Sequence, residues 1–153
     1  MANIIYNVWH ENQAKKLYAW DSATTVKALL VRSTSTYVPD KDHTTIQQMK
    51  NNGLVEISAS GYSRATANNK TVYVDTANDI VQYRCDNLTF GTPASGQTVI
   101  AVVLYVDLGN DNSSFPIAYI DQAGNDLPMN TGNGTFTVNV PSSGILQIRQ
   151  GTA

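Results

Sequence analysis

Residues 97–107, QTVIAVVLYVD, constrain the fold more than any other stretch of this sequence. Eight apolar residues follow one another from Val99 to Val106. A strand with one wet face alternates apolar and polar residues, so an unbroken run predicts a strand that is covered on both faces. The run is too short to cross a bilayer, which takes about 20 apolar residues. We therefore expect a central strand around which the rest of the chain packs.

Short strand-like segments separated by turn residues make up most of the remaining chain. They cover residues 26–32, 54–58, 70–76, 79–86, 115–122, 135–140 and 145–149. Segments 70–76 and 79–86 predict a hairpin. Phe115, Ile117 and Tyr119 are expected on one face of their strand, because side chains alternate along a strand. About eight short strands at regular spacing indicate a mainly β, single-domain fold, either a sandwich or a barrel.

One short helix is predicted near residues 42–52. Its helical stretch would run over residues 44–51, with two apolar residues three apart on the buried face. Asp40 or Asp42 can cap its start, since carboxylates accept hydrogen bonds from the first backbone N–H groups. Gly53 suits the left-handed position just past its end.

Residues 1–20 form an N-terminal arm ahead of a β domain at residues 21–153. A short helix over residues 8–16 is one interpretation of part of this arm. The arm is unusually rich in apolar and aromatic residues, and a chain terminus frays unless something ties it down. It either packs on its own domain or reaches a neighbouring subunit. The candidate interface residues are Ile4, Ile5, Tyr6, Trp9, Tyr18 and Trp20.

The composition argues against several classes of partner. Charged residues make up 14% of the chain, the net charge is −2, and the basic residues form no cluster beyond Lys15 and Lys16, so we expect no nucleic-acid binding. The lone cysteine, Cys85, excludes an internal disulfide. The first residues lack the pattern of a secretory signal, and no apolar run is long enough for a membrane span. We expect a protein made in a reducing cytoplasm.

The sequence shows no recognisable catalytic or metal-binding motif. The Gly91 to Gly96 spacing of a phosphate loop is followed by glutamine where lysine is required, and no nucleophile motif is present. Asp40, Asp42 and His43 are too close in sequence to surround one ion. Residues 107–112 lack the spacing of a calcium loop. We expect no enzymatic activity, no metal and no cofactor.

Six segments in the same order carry a family resemblance. They are residues 2–7 (ANIIYN), 25–30 (TVKALL), 37–43 (YVPDKDH), 60–62 (SGY), 76–79 (TAND) and 117–121 (IAYID). Together they resemble a family of tailed-bacteriophage virion proteins. Members are similar to head decoration, or cement, proteins, and some serve in the tail or neck. The resemblance implies a structural protein without catalytic residues.

A second likeness points to the phage head. Residues 16–25 (KLYAWDSATT) look like the opening of the β domain in lambda-type decoration proteins, which form trimers on the capsid surface through a β-tulip domain. The long, polar, proline-containing arm of that type is absent here. The resemblance implies a protein that is made in the bacterial host cytoplasm and then stabilises the capsid surface as a homo-oligomer, a trimer in the lambda type. Its partners would be the major capsid protein and further copies of itself.

Two other functions stay open at this point. One is a tail or neck subunit. The other is a carbohydrate-binding β module that uses Trp9, Trp20 and the Asn/Asp-rich loops, since sugar rings stack on aromatic faces. Of the two roles for the arm, we favour contact with a neighbour, because a cement protein needs contacts that cross subunit boundaries.

Overall fold

The computed structural model describes residues 3–121, 127–132 and 134–149, and this part of the chain is 35% strand and 10% helix. The strands are β1 (Ile4–Ile5), β2 (Val26–Arg32), β3 (Ala65–Thr66), β4 (Thr71–Asp75), β5 (Ile80–Arg84), β6 (Leu88–Thr89), β7 (Thr98–Val106), β8 (Phe115–Ile120), β9 (Met129–Asn130), β10 (Thr137–Val138) and β11 (Leu146–Arg149). The helices in this part are α1 (Asn7–Ala14) and α2 (Ile46–Asn51). The mainly β, single-domain prediction is confirmed. Among the described residues no sheet closes into a barrel, which removes that alternative.

Strand β7 is the centre of the largest sheet, as the apolar run predicts. The strand order is β1-β8-β7-β2-β3, with β9 also pairing with β7 at its start. Both long neighbours, β2 and β8, are antiparallel to β7. Every residue from Ala101 to Val106 is buried. The segments on either side of the sheet therefore exclude water from both of its faces.

The two faces of β7 belong to two different hydrophobic clusters. Val102, Leu104 and Val106 lie in a main cluster that extends to the smaller sheets. The residues between them lie in a second group, which we call the tyrosine-rich cluster. Its buried members are Tyr6, Leu29, Val31, Tyr37, Ile46, Met49, Leu54, Ala101, Val103, Tyr105 and Tyr119. Because side chains alternate along β2 and β7, each of these apolar strands contributes residues to both hydrophobic clusters.

Strand β8 does not keep Phe115, Ile117 and Tyr119 on one face, which corrects the prediction. The pairing of β8 with β7 shifts register between Leu104 and Tyr105, so that Ile117 has no partner of its own. An extra residue of this kind is a β-bulge, and it reverses the alternation beyond it. Phe115 and Ile117 therefore lie in the main cluster, whereas Tyr119 lies in the tyrosine-rich cluster.

Two smaller sheets complete the described fold. Strands β4 and β5 form the predicted hairpin, and β11 pairs with the other edge of β5. Strands β6 and β10 form a separate pair. The predicted strand at 54–58 is reduced to one bridge between Val31 and Glu56, and the strand at 135–140 is reduced to Thr137–Val138. Regular alternation in the sequence therefore overstated the length of these edge segments.

Helix α2 is present, but a different residue caps it. The Thr45 side chain accepts a hydrogen bond from the Gln48 backbone N–H, so neither Asp40 nor Asp42 is the cap. Threonine at this position immediately precedes the helix, whereas the two aspartates lie too far upstream. Gly53 has φ +97°, and a Cβ there would lie 2.4 Å from the Thr36 hydroxyl oxygen. The prediction for Gly53 is confirmed.

Candidate functional site

The N-terminal arm lies on the edge of the large sheet. Strand β1 pairs antiparallel with β8, with Ile4 opposite Tyr119 and Ile5 opposite Ala118. The backbone N–H of Tyr6 continues this pairing by donating to the carbonyl of Ile117 at 3.0 Å. Helix α1 follows at once. The arm therefore begins as an added strand, held by the same backbone bonds as the rest of the sheet.

Tyr6 anchors the arm in the tyrosine-rich cluster. Its hydroxyl is 2.9 Å from the Tyr37 hydroxyl, which in turn is 2.8 Å from Nδ1 of His43. Tyr6 is fully buried, and His43 is 8% exposed. Burial raises the pKa of both tyrosine hydroxyls. The two phenols therefore stay neutral and act as hydrogen-bonding links between the arm and residues 37–43.

Asn7 adds a second link to the same segment. Its backbone N–H donates to the carbonyl of Lys41 at 3.0 Å, and its side-chain amide donates to Oδ1 of Asp42 at 2.7 Å. Of the residues that could be imagined as metal ligands, Asp42 is thus bonded to the arm directly, whereas His43 is linked to it through Tyr37. Within the described ranges, no group of three or more His, Cys, Asp or Glu side chains could hold a metal ion.

The two tryptophans lie on the opposite side of the sheet, in the main cluster. Trp9 is 1% exposed and Trp20 is 3% exposed. The Trp20 indole N–H donates to the carbonyl of Arg84 at 2.9 Å, and its ring meets that of Tyr83 edge-on at 5.7 Å. Because Tyr6 and Trp9 enter different clusters, the arm wraps around the sheet edge and closes both cores.

The six candidate interface residues are thus divided into two groups. Tyr6, Trp9 and Trp20 are buried within their own chain, whereas Ile4, Ile5 and Tyr18 keep part of their surface exposed. Tyr18 packs edge-on against Phe115 at 5.1 Å. Contact between the first group and a neighbour would require the arm to leave its place. The second group can contact a neighbour without any rearrangement.

Surface depressions border the arm in the described part of the molecule, and one of about 320 Å³ is lined by Leu17 and Tyr18. A groove of about 310 Å³ runs beside β1, and its lining includes Ile5, Ile120 and Leu146. A broader depression of about 620 Å³ lies beside Ile4 and Val38. The partly exposed isoleucines therefore form a ridge between two concave surfaces, a shape that suits contact with another protein.

A charged cluster that was not predicted from the sequence lies beside α2. Arg64 donates through Nε and Nη2 to both oxygens of Glu56, each at 2.7 Å. It also donates through Nη1 and Nη2 to both oxygens of Asp111, at 2.7 and 3.0 Å. Lys50 bridges the same two carboxylates at 2.8 Å each. Two cations thus neutralise two anions and tie α2 to the loop between β7 and β8.

The cluster holds its carboxylates in the charged form. Hydrogen bonds from Arg64 lower the pKa of Asp111 to about 2. Burial alone would raise the pKa of Glu56, but hydrogen bonds from Arg64 and Lys50 more than offset it and lower the pKa. Neither carboxylate is poised to exchange a proton near neutral pH, so the arrangement suits a structural role. Its members span residues 50–111 without periodicity, and so no local pattern indicates it.

Seven large apolar side chains are exposed on the described part of the molecule. They are Leu17, Val38, Val55, Val72, Tyr73, Val74 and Leu108. Three of them are consecutive in β4, and the others are scattered. Within the part of the chain that the structure describes, no helix is long and apolar enough to cross a membrane.

Comparisons of the chain with protein-family models, with curated protein sequences and with solved structures found no match. The resemblance to phage virion proteins therefore rests on the sequence motifs alone.

Proposed function

We propose that this protein is a capsid decoration protein of a tailed bacteriophage. It binds the outer surface of the head as a homo-oligomer, with the major capsid protein as its partner. The lambda-type likeness favours a trimer. No catalytic step, cofactor, nucleic acid or membrane enters this role.

One structural observation carries most of the support. Three of the segments on which the resemblance rests pack against one another: the arm at residues 3–7, the segment at 37–43 and the segment at 117–121. The arm pairs with the third segment through its backbone and with the second through Tyr6 and Asn7. Motifs that depend on one another in a fold have a physical reason to occur together in a sequence. Their joint presence therefore supports a shared fold more strongly than six unrelated short matches would.

The proposed mechanism is the addition of buried area across capsomer boundaries. A protein that binds the assembled shell but not its dissociated parts stabilises the shell by mass action. The buried half of the arm keeps the sheet edge rigid. Its partly exposed half offers apolar contact area, with Ile4 and Ile5 beside the two depressions at β1 and Tyr18 beside the depression that it lines with Leu17. Rigid elements lose little conformational entropy when they bind, which favours such a contact.

The burial of both tryptophans weakens the carbohydrate-binding alternative. Stacking on a sugar requires an exposed ring face, but Trp9 and Trp20 are at most 3% exposed. That alternative thus loses the two residues on which it was based.

A pelleting assay with expanded empty capsids tests the proposal. The protein should co-sediment to saturation and raise the temperature at which the shells rupture. Ile4→Lys should weaken binding, because it places a charge on the proposed contact. Leu108→Lys is the matched control, since Leu108 is exposed on a loop and lines none of the depressions beside the arm. Absence of co-sedimentation would overturn the proposal. Rings or tubes of the isolated protein in negative stain would favour the tail or neck instead.

A further inference from the structure

The outer edge of β4 has the properties of a strand that pairs with another chain. β4 ends the order β11-β5-β4, and no strand in the described part of the molecule pairs with its other edge. Its Val72, Tyr73 and Val74 side chains are 51%, 48% and 56% exposed. Such an edge presents a row of backbone donors and acceptors beside an apolar surface.

Most of the usual protections of an edge strand are missing from β4, whose one charged residue is Asp75 at its end. It keeps a regular five-residue register with β5, without a bulge. Residues 71–74 contain no proline and no charge, and all four have high β propensity. By contrast, the strands at the two ends of the large sheet, β1 and β3, are two residues long. Soluble proteins normally shorten, charge or bend an exposed edge to prevent pairing.

We propose that β4 pairs antiparallel with β4 of a second copy of this chain, about a two-fold axis at Tyr73. The two three-stranded sheets then form one continuous six-stranded sheet. In this register each Val72 lies opposite Val74 of the second copy. Within one chain Val72 lies opposite Tyr83, and Val74 lies opposite Val81. The pairing therefore extends one apolar row across both sheets.

The match of apolar residues selects this register, because the three consecutive residues 72–74 lie opposite the same three residues of the second copy. Arg84 lies opposite Thr71 in the hairpin, and its guanidinium lies over the Tyr73 ring at 4.1 Å and donates to Oε1 of Gln82. With the axis at Tyr73, Thr71 lies opposite Asp75 of the second copy. Arg84 and that Asp75 then share one row with Thr71 between them, so opposite rather than like charges meet on this face.

Neighbouring registers lose this apolar match. An axis at Val72 places Val74 opposite Lys70 of the second copy, and an axis at Val74 places Tyr73 opposite Asp75. Each of these registers opposes an apolar side chain with a charged one. Since a two-fold axis requires opposed residues to lie on the same face, registers in between are excluded.

The contact area of one five-residue edge is below the roughly 1,200–2,000 Å² of a stable complex. We therefore expect a concentration-dependent contact that strengthens where copies are held close together. The pairing does not depend on the proposed function, because it follows from β4 alone.

Cysteine cross-linking tests both whether β4 pairs with β4 of a second copy and in which register it does so. In a Cys85→Ser background, Tyr73→Cys should cross-link to itself, because opposed Cα atoms lie about 4.5–5.5 Å apart, within reach of a disulfide. Val72→Cys and Val74→Cys should each cross-link poorly alone but readily when mixed. Leu108→Cys, at an exposed loop residue outside β4, gives the rate of random collision. Self-linking of Val72→Cys at the Tyr73→Cys rate, or no difference between Tyr73→Cys and Leu108→Cys, would overturn the proposal.

Sedimentation equilibrium provides an independent readout. The apparent mass of the parent should rise with concentration, and the double variant Val72→Lys, Val74→Lys should weaken this association by more than about tenfold, since it buries cations at the contact. Leu108→Lys, at an exposed loop residue outside β4, should leave it unchanged. Circular dichroism identifies variants that fail to fold, and these are replaced by Val72→Thr, Val74→Thr. A parent mass that is independent of concentration would contradict the pairing. Failure to bind capsids together with Tyr73→Cys cross-linking would overturn only the proposed function.

Discussion

Leu104 is a fully buried residue within β7. It has no exposed surface and lies between Ala28 on β2 and Ala118 on β8. The two small neighbours leave room for the leucine side chain in the main cluster, and none of the three supplies a partner for a charge.

We expect Leu104→Asp to prevent folding. An unpaired buried carboxylate costs several kcal/mol, which rivals the roughly 5–15 kcal/mol stability of a whole domain. Circular dichroism and thermal melting measure the outcome. Val38→Asp, at a side chain that is 75% exposed, should melt close to the parent. A soluble Leu104→Asp variant with the parent's spectrum and melting temperature would contradict the burial of β7.

Arg64 is the residue on which the charged cluster depends. Arg64→Met leaves Lys50 as the cation for Glu56 and Asp111, while the Tyr62 hydroxyl still donates to Glu56, and both carboxylates are largely buried. We expect a loss of about 2 kcal/mol in the free energy of unfolding, between the values for exposed and fully buried ion pairs. Urea denaturation measures it. Lys15→Met breaks the exposed pair with Glu11 and should cost at most about 0.5 kcal/mol. Equal losses in the two variants would argue against a structural role for the cluster.

The same cluster predicts how stability depends on pH. The folded-state pKa of Asp111 is about 2, and that of Glu56 is also lowered. Because both lie below their unfolded values of about 4, the unfolded chain binds more protons in acid. The contribution is complete above about pH 5 and is lost as the pH falls toward 2. Urea midpoints at pH 7, 5 and 3 should fall less in Arg64→Met than in the parent. If the urea midpoint falls by the same amount in Arg64→Met and in the parent, the charged cluster is not the cause of the pH dependence.

Single residues also mark a limit of sequence reasoning. The helix near residues 42–52 could be predicted from its apolar spacing and Gly53, but its cap could not, because several polar residues precede it and helix ends are imprecise. The charged cluster was invisible for another reason. Its members become neighbours through the fold, since Lys50 and Asp111 are far apart in sequence.

Among the elements, the N-terminal arm is the one whose predicted role differs most from its position in the structure. From sequence its apolar residues suited either its own core or a neighbour, since composition does not say which chain covers a side chain. The buried positions of Tyr6 and Trp9 favour the first role for half of the arm. Strand β8 shows a related limit, because a β-bulge leaves no signature in its apolar sequence.

Deleting residues 2–12 should therefore lower the melting temperature of the isolated protein. The deletion removes β1, most of α1 and the buried side chains of Tyr6 and Trp9. The burial of each of these two side chains contributes roughly 1.5–3 kcal/mol to the free energy of unfolding. A finer test compares Trp9→Ala, which should cost about 3–5 kcal/mol, with His10→Ala at an exposed position on the same helix. A truncated protein that melts like the parent but no longer self-associates would restore the second role, contact with a neighbour.

On the scale of the whole molecule, β7 joins the two clusters into one body. Side chains alternate between the main cluster and the tyrosine-rich cluster along both β7 and β2. The mainly β class and the central strand could be predicted because an unbroken apolar run has few physical solutions. The way in which the arm closes both clusters required the folded chain.

This arrangement predicts that the molecule unfolds as one cooperative unit. Trp9 and Trp20 both report on the main cluster, whereas Met49 is fully buried in the tyrosine-rich cluster. Met49→Ala should cost about 2–5 kcal/mol. Because the clusters share the backbone of β7, it should lower the urea midpoint of tryptophan fluorescence as much as that of circular dichroism.

Leu88→Ala, which truncates a buried side chain in the main cluster, is the matched control and should shift both signals together. If Met49→Ala shifts circular dichroism but leaves the tryptophan transition in place, the two clusters unfold separately. Separate unfolding is unfavourable because both clusters include side chains of β7. If one cluster unfolds, the backbone of β7 becomes exposed, and this backbone also positions the side chains of the other cluster. Coincident transitions in both variants would therefore show that the central strand couples the two cores.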